Sequence, residues 1–236
     1  MRSFVRNLSA PAEFCLVVLI AFGLPILANI FVIIRMLMNV APRPVRFGDH
    51  TMIVLLIAEA VTFMVIFGIG HIRGWASETF RFQVTWRWTV MGFLLYVAAM
   101  LVAVLAHHFA LEFGVNPTGP SHVHMGEGAT LPFIILNSIT NPVFEEMLEA
   151  AYIISSLHKI GMWPAILAGA LLRMCLHVYL GFYGASIVMA TGVIFGLVYW
   201  RWRQLWPLIV AHALLDFLGL MHMDIFRLLQ LTNHGA

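Results

Sequence analysis

The chain has 236 residues, 61% of them hydrophobic and only 10% charged, with a mean hydropathy of +0.92. A soluble domain carries about 25% charged residues, so this composition excludes an ordinary soluble protein and predicts a single all-α membrane domain with short loops, residues 1–236. The net charge of +2, with Lys159 the one lysine, offers no basic cluster for nucleic acid. Cys15 and Cys175 both lie in apolar runs and read as small buried hydrophobes rather than as a disulfide.

The N-terminal segment carries Arg2 and Arg6 and leads into an apolar run from Glu13 to Met38. That run is too long for the core of a signal peptide, so it predicts a retained span, kinked at Pro25. Thr51 to Gly70 predicts a second span. Glu59 within it is costly toward lipid and is expected to face the bundle, outside the ring of groups that form any site. Arg73 to Arg87, with Trp75, Phe80, Phe82, Trp86 and Trp88, reads as an interfacial aromatic belt with a short surface helix. Trp88 to Leu111 predicts the third span, ending in His107 and His108. The following Gly- and Pro-rich loop holds His122 and His124. No carboxylate or Cys stands at ligand spacing with these four His, and they read as interfacial residues rather than a metal site.

Leu131 to Leu157 predicts a fourth span, which carries Glu145, Glu146 and Glu149 behind Pro142. In a regular helix Glu145 and Glu149 share a face, and Glu146 points about 100° away. After a tight turn at Lys159 to Met162 come a fifth span, Trp163 to Leu180, with Arg173 and His177, and a sixth, Tyr183 to Trp200. Gly192 and Gly196 in the sixth allow close helix approach. The seventh, Trp206 to Met221, holds His212 and Asp216, and a short amphipathic or frayed tail follows. The pattern predicts a polytopic bundle of about seven spans, six to eight by hydropathy.

The strongly polar intramembrane residues of the second half thus fall on three helices. Arg173 and His177 share one face, as do His212 and Asp216. Carboxylates inside hydrocarbon need a partner or water, and carboxylates with two imidazoles can activate water and stabilise an oxyanion. Cys175 and His177 point to different faces, which argues against a Cys–His dyad.

The order and spacing of these groups resemble the CAAX protease and bacteriocin-processing (CPBP, Abi) family of glutamic intramembrane proteases. Its motifs are EExxxR, FxxxH and HxxxN or HxxxD. Pro142 to Ala150 resembles the first, Arg173 to His177 the second, and His212 to Asp216 the last. Gly192 to Gly196 and Leu205-Trp206-Pro207-Leu208 are similar as well. The resemblance covers about residues 131–222 and implies a catalytic core there. It implies that Glu145 is the base that activates water, assisted by His177, with Glu146 orienting that centre and His212 and Asp216 forming the oxyanion site. Two His with two Glu could also ligate zinc, but the glutamate mechanism needs no metal, and none is expected. Two positions depart from the pattern: Ala150 replaces the Arg of the first motif, and Arg173 replaces the Phe of the second. Arg173 is therefore expected to supply the missing cation to Glu146, with Glu149 as a supporting carboxylate.

The reading is an intramembrane endopeptidase acting on membrane-associated or exported peptides or proteins, with the lipid bilayer and the substrate as its partners. The alternatives are a non-catalytic member of the family, such as an immunity or accessory protein, and a small-solute transporter. Inverted repeats would favour the transporter, and none is found. Arg2, Arg6, Arg73, Arg81, Arg87, Lys159, Arg201 and Arg203 fall on the N-terminal side of the spans. Arg43, Arg46 and Arg227 fall on the other. The positive-inside rule then places the N-terminus in the cytoplasm of, by expectation, a bacterial inner membrane, with the site opening outward.

Overall fold

The computed structural model describes residues 5–38, 40, 45–114, 123–124 and 129–221. Arg2, Arg43, His122, Arg227 and the tail from His222 to Ala236 lie outside the described residues, and so does the side chain of His124. The chain forms a polytopic helical bundle. Three long helices come first: α1 (Ala10–Leu37), α2 (Asp49–Arg73) and α3 (Trp86–Glu112). The glutamate-bearing span is α4 (Leu131–Glu145), a π-helical segment (Glu146–Tyr152) and α5 (Ile153–Ser156), running without a break. Then come α6 (Met162–Leu176), α7 (Gly181–Trp202) and α8 (Trp206–Leu220). Four stretches, Ala10–Leu37, Asp49–Arg73, Trp86–Glu112 and Val178–Trp202, are long and apolar enough to cross a membrane by themselves. The helices α6 and α8 are apolar but shorter.

Local chemistry accounts for the ends. Ser9 caps α1 by accepting from the Ala12 N–H, and Thr85 caps α3 by accepting from the Trp88 N–H. Gly74 ends α2 in the left-handed conformation, φ +68°. The aromatic belt contains a single turn of 3₁₀ helix, Ser77–Phe80. Trp75 packs against the bundle: its indole N–H donates to Glu13 Oε1 at 2.7 Å, and its ring lies 4.7 Å from that of Tyr152. On the same end of the bundle the Tyr199 hydroxyl donates to the Thr79 carbonyl at 2.6 Å, and the Leu205 N–H donates to the Arg81 carbonyl at 3.1 Å. At the opposite end the loops before α2 and α4 meet in a two-residue parallel ladder, Val45–Arg46 with Val123–His124.

The core sits where α6 packs on α7 and where α8 packs on α3 and α4. Cys15 and Cys175 are free thiols, and both are exposed, not buried as their apolar neighbours suggested. The lipid-facing side of a membrane helix is as apolar as its packed side, so hydropathy does not report burial here.

Small residues set the closest approaches. A Cβ on Gly92 of α3 would stand 2.6 Å from Val210 Cβ and 2.8 Å from the Pro207 carbonyl oxygen of α8. Gly92→Val therefore overpacks the α3–α8 seam and is expected to cost about 1–3 kcal/mol, read as a lowered midpoint of thermal unfolding in detergent. Gly68→Val on α2, where a Cβ meets nothing within 4 Å, is the control expected to leave the midpoint unchanged.

Candidate active site

The glutamates stand where the fourth span stops being an α-helix. Pro142 has no N–H to give to the preceding turn, and four residues later the backbone widens into the π segment Glu146–Tyr152. Such widened turns recur at functional sites because they re-aim side chains. The widened backbone is received by a glycine: a Cβ on Gly169 of α6 would lie 2.9 Å from the Glu149 carbonyl oxygen. A regular helix was the expectation for this stretch, with Glu145 and Glu149 paired on a face. Glu146 and Glu149 are instead the two that share a partner.

That partner is Arg173 of α6. Its Nη2 lies 2.5 Å from Glu146 Oε1 and its Nε 2.7 Å from Glu149 Oε2. All three side chains are buried, Glu146 completely. The guanidinium also lies over the Phe195 ring, 5.5 Å from its centroid. A Cβ on Gly192 of α7 would be 3.2 Å from Arg173 Cδ, so the small residue there seats the arginine stem. The adjoining cavity, between Glu146, Glu149, Arg173 and Gly192, is only about 10 Å³. It has room for about one water and none for a substrate, so the ion cluster is an interior structural element.

His212 of α8 joins this cluster to the remaining groups. Its Nδ1 lies 2.7 Å from Glu146 Oε1, and because an ionised carboxylate can only accept, Nδ1–H is the donor. Its Nε2 faces Asp216 Oδ1 at 3.4 Å and Glu145 Oε2 at 3.8 Å. Asp216 is steadied from α4, where Asn141 Nδ2 donates to Asp216 Oδ2 at 3.1 Å. Glu145 is partly exposed, unlike Glu146, and its Oε2 has no hydrogen-bond partner among the described residues.

His177 lies just past the end of α6, where the chain turns into the 3₁₀ segment Val178–Leu180; the α-helix expected to Leu180 ends at Leu176. Its Nδ1 is 2.9 Å from the Arg173 carbonyl. A carbonyl cannot donate, so Nδ1 carries the hydrogen and Nε2 is left to face the site. His177 is within electrostatic reach of Glu145 and His212.

The structure thus brings Glu145, Glu146, Glu149, Arg173, His177, His212 and Asp216 together. Four residues of the neighbourhood carry no role in the sequence reading. Asn29 of α1, buried, donates through Nδ2 to the Leu176 carbonyl at 2.9 Å and accepts the Tyr179 N–H at 3.1 Å, so it pins the turn on both sides of His177. Tyr179 packs its ring 5.6 Å from that of His177. Asn141 holds Asp216, and Glu59 lies within electrostatic reach of Glu145, Asp216 and His212. An Asn inside an apolar span was the available signal for Asn29. Among the described residues no group of three or more His, Cys, Asp or Glu side chains could hold a metal ion. Arg173 occupies oxygens of Glu146 and Glu149, and His212 Nδ1 is spent on Glu146.

Residues 127–218 match the family model described as Type II CAAX prenyl endopeptidase Rce1-like. Over that segment the chain is similar to the CAAX protease family. The match spans every residue of the constellation from Asn141 to Asp216 and leaves out α1, α2 and α3, as the motif pattern does. No curated protein and no solved structure matches the chain.

Within this core Arg173 is the residue whose loss leaves buried charges unmatched. Arg173→Phe is expected to destabilise the protein by about 3–5 kcal/mol, and Ala150→Arg added to it restores part of that stability, measured by thermal unfolding in detergent. An Arg173→Phe variant as stable as the parent would contradict the assignment. Asn29→Ala, which strands two buried backbone groups at about 1–3 kcal/mol each, is expected to lower stability and to make the turn at His177 susceptible to proteolysis.

Proposed function

We propose that the chain is an intramembrane endopeptidase that cleaves peptide bonds of membrane-associated or exported substrates with a glutamate-activated water. The observation that supports this most directly is the position of His212, with one nitrogen bonded to Glu146 and the other turned toward Glu145 and Asp216. In this reading Glu145 takes a proton from water and His177 Nε2 accepts a second hydrogen bond from that water, so the lone pair of the oxygen is aimed at the substrate carbonyl. As the carbonyl oxygen becomes negative, His212, oriented by Glu146 and Asp216, stabilises it. Collapse breaks the C–N bond, and the proton held on Glu145 passes to the departing nitrogen.

The division of labour among the glutamates follows from their partners. Glu146 is buried and engaged by Arg173 and His212, so it is an orienting group. Glu145 has its Oε2 uncommitted and is the group left to do the proton transfer. The reading needs no metal. It also accounts for the two departures from the family pattern: a cation meets the glutamates from α6 instead of from the position of Ala150.

The Lys and Arg asymmetry described above supports a cytoplasmic N-terminus. His177 and the Val45–Val123 ladder are then on the outer side, in a bacterial inner membrane, and the site opens there toward exported chains. The family model is named for prenyl endopeptidases, so a lipid-anchored peptide is one substrate to include among membrane-anchored peptides.

The test uses purified full-length protein in nanodiscs with such a panel. The parent is expected to cleave at least one of them, and Glu145→Gln to reduce the rate by about 10²–10⁴-fold, the range for loss of a general base, with the thermal midpoint unchanged. Cleavage undiminished in Glu145→Gln would overturn the mechanism. Solute flux into liposomes in the absence of cleavage would support the transporter instead.

A further inference from the structure

Glu59 lies outside the matched segment, on α2, and the mechanism above does not use it. Its position is fixed by the stripe it belongs to. Met52, Glu59 and Ile66 recur at heptad spacing, and Met52 and Ile66 are almost completely buried, at 0% and 1% exposure. This face of α2 packs on α4, and two contacts bracket Glu59 along it. Toward the start of α2, Asn137 Nδ2 donates to the Met52 carbonyl at 3.3 Å. Toward its end, the rings of Phe63 and Phe144 lie 6.5 Å apart. The two helices run in the same direction at this contact, so Glu59 falls beside the stretch between Asn137 and Phe144, next to Asn141 and Glu145. Asn141 holds Asp216, and Glu59 is within electrostatic reach of Glu145, Asp216 and His212. Its Oε2 is buried and has no hydrogen-bond partner among the described residues.

The charges around it are unevenly matched. Arg173 is committed to Glu146 and Glu149 on the inner side of the site. On the side of Glu59, three carboxyl groups, Glu59, Glu145 and Asp216, stand with the imidazoles of His212 and His177 and with no arginine or lysine from the described ion pairs. A carboxyl group carried in an apolar helix without a partner is costly, and a cationic ligand arriving there relieves that cost. Peptide hydrolysis produces one: the new amino terminus.

We infer that Glu59 is a further residue of the site and that its carboxylate receives the amine released on cleavage. This rests on the protease reading. The water oxygen bonds to the carbonyl carbon and its proton goes to Glu145. The C–N bond then breaks, its electron pair stays on nitrogen, and nitrogen takes the proton from Glu145. The proton of the new carboxylic acid ends on the amine, so the products are a carboxylate and an ammonium ion, and the ammonium ion pairs with Glu59.

The experiment measures binding, which does not require turnover. Full-length protein in nanodiscs is titrated by calorimetry with the peptide Ala-Ala-Leu-Phe-amide bearing a free amino terminus, and with its N-acetylated twin. The parent is expected to bind the free amine about tenfold more tightly than the twin, the effect of one charge-assisted hydrogen bond. Glu59→Gln is expected to abolish that preference, whereas Glu145→Gln retains it. Glu59→Asp, which keeps the charge on a shorter stem, retains part of it and serves if Glu59→Gln does not fold. Equal affinity of the parent for the two peptides, or an undiminished preference in Glu59→Gln, overturns the inference. A parent that shows the preference but cleaves no peptide in the panel would sink the protease reading and leave amine recognition by Glu59 standing.

Discussion

Arg173 lies buried between two carboxylates, and the arrangement of the site depends on that interaction. Each of the three charges would be expensive alone in a helix bundle. Together, with Nη2 on Glu146 and Nε on Glu149, they tie α6 to the π segment and fix where Glu146 can point. Glu146 in turn holds Nδ1 of His212, which fixes the ring of a residue on α8. The backbone carbonyl of the same Arg173 holds His177 Nδ1. One arginine therefore sets the orientation of both imidazoles, one through a carboxylate and one through its own main chain.

The backbone is shaped to admit this cluster. The π turn delivers Glu146 and Glu149 to a common partner, and Gly169 and Gly192 keep Cβ atoms away from the Glu149 carbonyl and the arginine stem. The glycine pair Gly192 and Gly196, which on spacing alone needs only a close-packing explanation, thus includes one residue that shapes the site. What stays outside the cluster is Glu145, the final residue of α4, turned toward His212 Nε2 and otherwise uncommitted at Oε2. Adjacent, chemically identical side chains thus stand in different surroundings, Glu146 engaged by Arg173 and His212 and Glu145 partly exposed.

Much of this was legible in the sequence, because a charge in a membrane span has few places to go. The helices, the three polar faces and the exchange of a cation between the positions of Ala150 and Arg173 follow from hydropathy, spacing and the motif resemblance. The bridging of two glutamates by Arg173 was not readable in detail, because the π segment is a property of the backbone and Pro142 marks only where a helix is weakened. Asn29 and Glu59 were legible as polar residues in apolar spans but not as neighbours of the site. They come from α1 and α2, and only the packing of those helices brings them to His177 and Glu145. The exposure of Cys15 and Cys175 could not be read from hydropathy at all, since lipid and protein interior select the same residues.

The most direct measurement of the central claim is a double-mutant cycle between Arg173 and Glu146, with unfolding free energies taken for Arg173→Met, Glu146→Gln and the double variant in one detergent. If the buried pair organises the site, Arg173→Met strands the carboxylates of both Glu146 and Glu149, whereas the double variant strands that of Glu149 alone. The coupling energy should then fall at the upper end of the range of about 0.5–3 kcal/mol found for contacting residues, with the double variant more stable than either additive prediction or the Arg173→Met variant alone. Additive effects within about 0.5 kcal/mol, the behaviour of independent positions, would contradict it.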